Sequence, residues 1–289
     1  MQRRCHITHD DYTYMFLPMH HIYASICHFM YSLITGHRLY LSSSTTNIVE
    51  ELLEINPTVF CCVPLILNNL YDFYKDDIDK AFGTNIRIII CGGAPISKKI
   101  RQVFIDKKLC LMPAYAMTET SSACTLTYPH HVDLTSAGEI YEDIDVKIVD
   151  KDKNGVGEII IKGDNIFKGY TDKSLNKRVF DENDYFHTGD LGYIKQKKLY
   201  IVGRKKKILI TSNGENVHAE AIEKKIKAKD KNIVEVKAYI KEDKIAVNIY
   251  VKDDINPNII DEYNLEAPKY EKISSFTIYN DSIDTRLKD

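Results

Sequence analysis

The sequence predicts an α/β fold in three parts: an α/β segment over residues 1–136, a β-rich segment over 137–203 and a small α+β unit over 204–289. Three patterns carry this reading. Between Asn47 and Pro113, short apolar runs alternate with stretches of helical period. After Ser136 the rhythm turns to strands. Past Gly203, one helical stretch precedes two runs in which apolar and polar residues alternate on either side of Glu242-Asp243.

In chain order, the most apolar N-terminal stretch, Ile22 to Gly36, is too short to span a bilayer and contains His28. Periodicity predicts a helix around Ile48 to Ile55, a strand over Val59 to Val63, a helix near Leu65 to Tyr74 and a strand over Ile86 to Ile90. Ser97 is a suitable N-cap for a helix with Ile100, Val103 and Phe104 on one face and Lys107 and Lys108 in its last turn, so Gly92-Gly93 lies in a strand-to-helix loop. Strands follow at Val146 to Val149 and Glu158 to Lys162, then a hairpin from Gly192 to Val202 turning through Lys195 to Lys198. The last part reads as a helix near Ala219 to Lys227 under a hairpin whose apolar positions are Val234, Val236, Ala238, Ile240, Ile245, Val247, Ile249 and Val251. No internal repeat or low-complexity linker is present.

A chain of 289 residues with 44% hydrophobic content can bury a substantial core. Its 39 basic and 41 acidic side chains give a formal charge of -2, which excludes a whole-chain field directed at nucleic acid or anionic lipid. Lys-rich segments alternate with acidic residues and lack interleaved aromatics, which argues further against a nucleic-acid module. The ligand is expected to be small. All 7 cysteines precede residue 125, none forms a C-x-x-C pair, and the odd count argues against a disulfide framework or a structural zinc site. Reduced thiols in a cytoplasmic protein without an export signal or membrane span are expected.

Six short segments carry the chemistry. Cys91-Gly-Gly-Ala-Pro95, Tyr115-Ala-Met-Thr-Glu-Thr120 and Gly157-Glu-Ile-Ile-Ile-Lys-Gly163 are followed by Phe186-His-Thr-Gly-Asp190, Gly203-Arg-Lys-Lys-Lys207 and Gly214-Glu-Asn-Val-His-Ala-Glu-Ala-Ile-Glu223. Each alone is a weak pattern. In this order they resemble the adenylate-forming ligase superfamily, which includes AMP-forming acyl-CoA synthetases, firefly luciferases and peptide-synthetase adenylation domains. The resemblance implies the C-terminal part of a large nucleotide-binding domain, then a small mobile domain starting near Arg204, where the change in pattern also falls. It further implies ATP, Mg2+ and CoA as cofactors, and a fatty acid or other carboxylate as substrate. A carrier-protein phosphopantetheine is an alternative acceptor.

Residue by residue, Gly92, Gly93, Ala94 and Pro95 are similar to the adenine wall, where a glycine turn lets backbone approach a flat base, and Tyr115 to its stacking partner. Thr118 and Glu119 match the pair that contacts phosphate and magnesium, a hard cation suited to oxygen ligands. Ala116 stands where the family has glycine, which would crowd a turn that needs positive φ. Asp190 matches the carboxylate that accepts both ribose hydroxyls, and Arg204 its basic neighbour on ribose and phosphate. The ordinary alternatives are a turn aspartate and a solvated charge. Lys207 sits at the pivot about which the small domain is understood to rotate. Gly214 lies in a loop that would then face the pantetheine arm.

Ile283-Asp-Thr-Arg-Leu-Lys288 looks like the closing motif of long-chain acyl-CoA synthetases, making Lys288 the lysine that bridges carboxylate and α-phosphate. One proline and one threonine of that motif are absent. Leu17-Pro-Met-His-His-Ile-Tyr23 resembles the family's Leu-Pro-Leu-x-His segment and places His21 at the acyl and pyrophosphate end.

One family feature is missing. Upstream of the histidine segment these enzymes carry a Ser/Thr/Gly-rich phosphate loop ending in Pro-Lys-Gly. The nearest composition here, Ser42-Ser-Ser-Thr-Thr46, has neither glycine nor lysine and lies after His21. Two readings follow: a ligase that works when a partner chain or an upstream segment supplies the N-terminal half, or a non-catalytic remnant that binds nucleotide or protein.

Overall fold

The computed structural model describes residues 2–42, 47–131, 133–205, 208–210, 216–242 and 244–280. It divides into two compact units, one of Met1–Val149, Ile159–Thr188 and Tyr193–Ile201, the other of Asp150–Glu158, Gly189–Gly192 and Val202–Asp289.

The first unit is built on strands β1 (Tyr12–Met15), β2 (Arg38–Leu41), β3 (Val59–Cys62), β4 (Ile88–Cys91) and β5 (Leu111–Met117), parallel in the order β2-β1-β3-β4-β5. At β5 the sense reverses, and β6 (Ser122–Leu126) and β7 (Glu139–Ile140) continue antiparallel. Strands β8 (Asp145–Val149), β9 (Gly157–Lys162), β10 (Phe186–Lys195) and β11 (Lys198–Arg204) complete the sheet in the order β7-β11-β10-β9-β8. Strands β3 and β4 read as unbroken apolar runs because both their faces are covered. Phe60, Cys62, Ile89 and Cys91 pack with Leu67, Ile78, Phe82, Ile100 and Phe104 on one face. Val59, Cys61, Ile88 and Ile90 meet Cys5, Ile7, Tyr23 and Cys27 on the other.

The anticipated helices form at Ile48–Ile55, Pro64–Tyr74 and Lys98–Asp106. Ser97 does cap the last, its Oγ accepting from the Ile100 N–H at 3.2 Å. That helix stops earlier than expected, at Asp106, so Lys107 is its C-cap and pairs with Asp79 at 3.3 Å instead of lying in the last turn. Residues 22–35 are helical throughout, with a π-wound middle over Ser25–Met30. Tyr23, Ala24, Cys27, His28 and Ser32 turn inward, while Phe29, Met30, Leu33 and Ile34 remain 40 to 76% exposed. Apolar side chains on both faces of one helix mark a segment suited to burial between two layers.

The hairpin expected at 192–202 is the β10–β11 pair, longer at both ends. Its two-residue turn places Gln196 (φ 51°) and Lys197 (φ 63°) in the left-handed region that tight hairpins require. Ala116 lies inside β5, away from any positive-φ position, so the crowding expected there does not arise.

In the second unit, β14 (Ile233–Lys241) pairs antiparallel with β15 (Lys244–Val251), preceded by the short pair β12 (Ile208–Ile210) and β13 (Asn216–His218). The helix Ala219–Lys227 buries Ile222 and Ile226 against Val236, Val247 and Ile249. The pair β12–β13, a helix at Ile259–Glu266 and strand β16 (Ile273–Asn280), which lies parallel to β15, go beyond the sequence reading.

Candidate functional site

Within the first unit, Gly92 follows β4 with its N–H donated to Cys62 O at 3.2 Å, and a Cβ there would lie 3.3 Å from the Ala114 carbonyl oxygen. Gly93, at φ +85°, occupies a conformation that side chains disfavour. Gly93, Ala94 and Pro95 are exposed. Ala114 precedes Tyr115 on the adjacent β5, so the close approach at Gly92 sets loop and tyrosine strand side by side.

β5 ends in a tight helical turn, Thr118–Thr120, which presents an exposed Thr118 and a half-buried Glu119. Buried Thr120 locks this turn: its hydroxyl accepts from the Met117 N–H at 3.1 Å and lies 2.6 Å from Ser122 O. Ser121 (φ 47°) and Ser122 (φ 94°) follow, two successive non-glycine residues at positive φ. Such strain persists only where the surroundings hold it in place, and it is concentrated at functional segments.

A segment the sequence reading passed over clasps this turn. Asn165 Nδ2 donates to Thr120 O at 2.9 Å, the Phe167 N–H donates to Glu119 O at 2.8 Å, and the Tyr170 hydroxyl donates to Glu119 Oε1 at 2.7 Å. Burial and the adjacent Glu119 carboxylate push the Tyr170 phenol up to about 12, so it stays a neutral donor. The dipeptide Gly169-Tyr170 was the available signal, since Gly169 at φ +120° marks a turn that only glycine adopts readily.

Within the second unit, Asp190 is a buried residue of β10, not the turn aspartate of the ordinary alternative. Arg204, at the end of β11, sets its Nε 3.0 Å from Asp190 Oδ1. Sequence reasoning assigned the two residues to one ligand, and the structure brings them together. Next to Arg204, Lys205 pairs with the buried Glu158 at 2.6 Å and lies 3.7 Å from Asp150. This hydrogen bond raises the lysine above its ordinary value.

His21 is exposed and caps the helix that follows, its Nδ1 accepting from the Tyr23 N–H at 3.2 Å. Lys207, Gly214 and Lys288 lie outside the described residues. A cavity of about 610 Å³ in the first unit borders the Thr118–Thr120 turn, lined by Ser121, Ser122 and Asn165 together with Ile26, Cys27, Tyr31 and Tyr141 among others. None of the anticipated nucleotide-binding residues lines it. Among the described residues, no cluster of three His, Cys, Asp or Glu side chains could hold a metal, and no helix is long and apolar enough to cross a membrane. A lone carboxylate such as Glu119 suits a magnesium ion that takes most of its ligands from phosphates and water.

The profile of the AMP-binding enzymes matches residues 1–171. The chain belongs to this AMP-binding enzyme family. Among curated AMP-binding relatives, Long-chain-fatty-acid-CoA ligase heimdall of Drosophila melanogaster is 41% identical over 150 residues, half of this chain and 21% of the relative. Long-chain-fatty-acid-CoA ligase 5 of Mus musculus is 28% identical over 264 residues, 75% of this chain and 39% of the relative. The chain thus spans less than half the length of these two relatives. In fold it is similar to O-succinylbenzoate coenzyme A synthetase (MenE) of Bacillus subtilis, a structure solved with ATP and a magnesium ion. The TM-score is 0.81 at 23% identity, over 99% of this chain and 63% of that one. ATP-bound MatB of Rhodopseudomonas palustris gives a TM-score of 0.82 at 22% identity, over 97% and 58%. The α/β fold is therefore that of part of an acyl-CoA synthetase.

Proposed function

We propose that this AMP-binding chain carries the adenosine, ribose and cation contacts of an AMP-forming carboxylate-CoA ligase acting on fatty acids, with an N-terminal segment supplying the phosphate loop. The observation that carries the reading is the buried Asp190 with Arg204 at 3.0 Å, the acid-base pair a ribose with two hydroxyls would meet. An ionised carboxylate accepts both hydroxyls, and the guanidinium orients it until they arrive.

The other residues take complementary roles. Gly92 and Gly93 leave room for a flat base against the backbone, and Tyr115 stacks on it. Thr118 donates to phosphate, and Glu119 would hold a magnesium ion, whose positive charge offsets the charge that builds up as pyrophosphate departs. Lys288 bridges carboxylate and α-phosphate in the first half-reaction. Lys207 is the hinge, and Gly214 borders the thiol path in the second. His21 stands at the acyl end. The acceptor is CoA, with carrier-protein phosphopantetheine the alternative, and the small domain begins near Arg204.

An N-terminal segment that supplies the phosphate loop would need an apolar face to dock on. The outward face of the 22–35 helix, with Phe29, Met30, Leu33 and Ile34 exposed, is where an added layer would bury apolar area. The second reading is a remnant that binds nucleotide or a partner without turnover. Fatty-acid-dependent pyrophosphate release, measured with and without the N-terminal half of a related ligase, separates the two.

A further inference from the structure

The clasp over the Glu119 turn belongs to none of the six motifs, and its chemistry is specific. Glu119 is held from both directions, its backbone carbonyl by the Phe167 N–H at 2.8 Å and its carboxylate by the Tyr170 hydroxyl at 2.7 Å. Tyr170 is itself fixed. Asn176 Oδ1 accepts from the Tyr170 N–H at 2.7 Å, and Asn176 Nδ2 donates to the Tyr170 carbonyl at 3.2 Å, bracketing its backbone. Asn176 stands on the helix Lys173–Val179, whose N-cap, Asp172, accepts from the Ser174 N–H at 2.9 Å. Gly169 is required twice over: its φ is +120°, and a Cβ would come within 2.6 Å of the Asn176 amide nitrogen. The Tyr170 ring packs edge-on to Phe167, with centroids 4.8 Å apart, and Phe167 in turn packs on Phe186. An unbroken chain of contacts thus runs from the capped helix to one carboxylate oxygen.

We propose that Tyr170 is a positioning residue, its hydroxyl fixing the Glu119 carboxylate so that this side chain holds a divalent cation in a set orientation. The proposal rests on reading Glu119 as the cation-binding carboxylate. A phenol suits the task better than a lysine or arginine, because it orients the carboxylate without cancelling the charge that attracts the cation. It also leaves one oxygen engaged and commits the other to a defined direction.

The test is Mn2+ affinity in the presence of ATP, read from the electron paramagnetic resonance signal of free Mn2+, for the wild-type chain, Tyr170→Phe, Asn176→Ala and Glu119→Gln. Circular dichroism confirms that each is folded. Tyr170→Phe keeps the ring and its packing on Phe167, so only the hydroxyl is lost. Mn2+ affinity should fall roughly tenfold, in the range seen when a group orienting a metal ligand is removed, with metal-free ATP affinity unchanged. Asn176→Ala should fall in the same direction. If Glu119→Gln weakens Mn2+ binding while Tyr170→Phe leaves it unchanged or tightens it, the positioning role is wrong and the reading of Glu119 stands. If Glu119→Gln changes nothing, or the wild type binds no more Mn2+ than ATP does alone, that reading fails and the proposal fails with it.

Discussion

His28 should make this protein lose stability in mild acid. The side chain is fully buried on the inward face of the 22–35 helix, where neither ring nitrogen meets a partner at full hydrogen-bonding geometry and the Cys61 backbone is only a weak neighbour. Burial, helped by the nearby His37 and opposed only in part by the Cys61 backbone, lowers it from 6.5 to about 4. The sign follows from the folded value lying below the unfolded one. The neutral imidazole contributes full stability above pH 6.5, and that contribution is lost as pH falls toward 4 because the unfolded chain takes up a proton the folded chain refuses. Linkage over this shift amounts to about 3 kcal/mol in total, of which about 2 kcal/mol is lost between pH 7 and pH 5. The assay is urea unfolding of the wild type and of His28→Phe at pH 7, 6 and 5. The variant lacks the titrating group and should lose about 2 kcal/mol less across that interval. Equal losses in the two proteins would refute the argument, since the remaining histidines would then account for the whole pH dependence.

Two further outcomes concern the proposed chemistry. Asp190→Ala, in protein complemented with the N-terminal half, should weaken ATP binding at least tenfold, since each charge-assisted hydrogen bond to the ribose contributes about 1.5–3 kcal/mol. Preference for ATP over GTP should hold, and isothermal titration reads both. Lys288→Ala should block adenylate formation yet spare thioester formation from supplied acyl-adenylate, and Lys207→Pro, by stiffening the hinge, should do the reverse. Loss of both half-reactions in both variants would count against domain alternation.

What could be read from the sequence tracks how local each cause is. Strands β3 and β4 were legible because burial on both faces leaves unbroken apolar runs, and Ser97 because a cap acts three residues away. The alternation of β14 and β15 was legible for the same kind of reason. Strand β16 was not: only Ile273 in it is buried, so it carries no core-facing period. Strands β1 and β2, four residues each, are too short for a period to emerge. In the site, linear motifs named Asp190 and Arg204, which the structure does place together. They missed Tyr170, whose partner Glu119 is 51 positions away. The link between Tyr170 and Glu119 exists only once the fold brings the two segments together.

The most direct test of the central claim is pyrophosphate release from ATP and Mg2+ with a fatty acid, assayed on the 289-residue chain alone and after complementation with the N-terminal half of a related long-chain ligase. The account predicts acid-dependent release from the complemented protein and none from the chain alone. No acid-dependent release after complementation, in protein shown to be folded and to bind ATP, would contradict the ligase assignment. Robust release from the chain alone would contradict the need for a supplied phosphate loop.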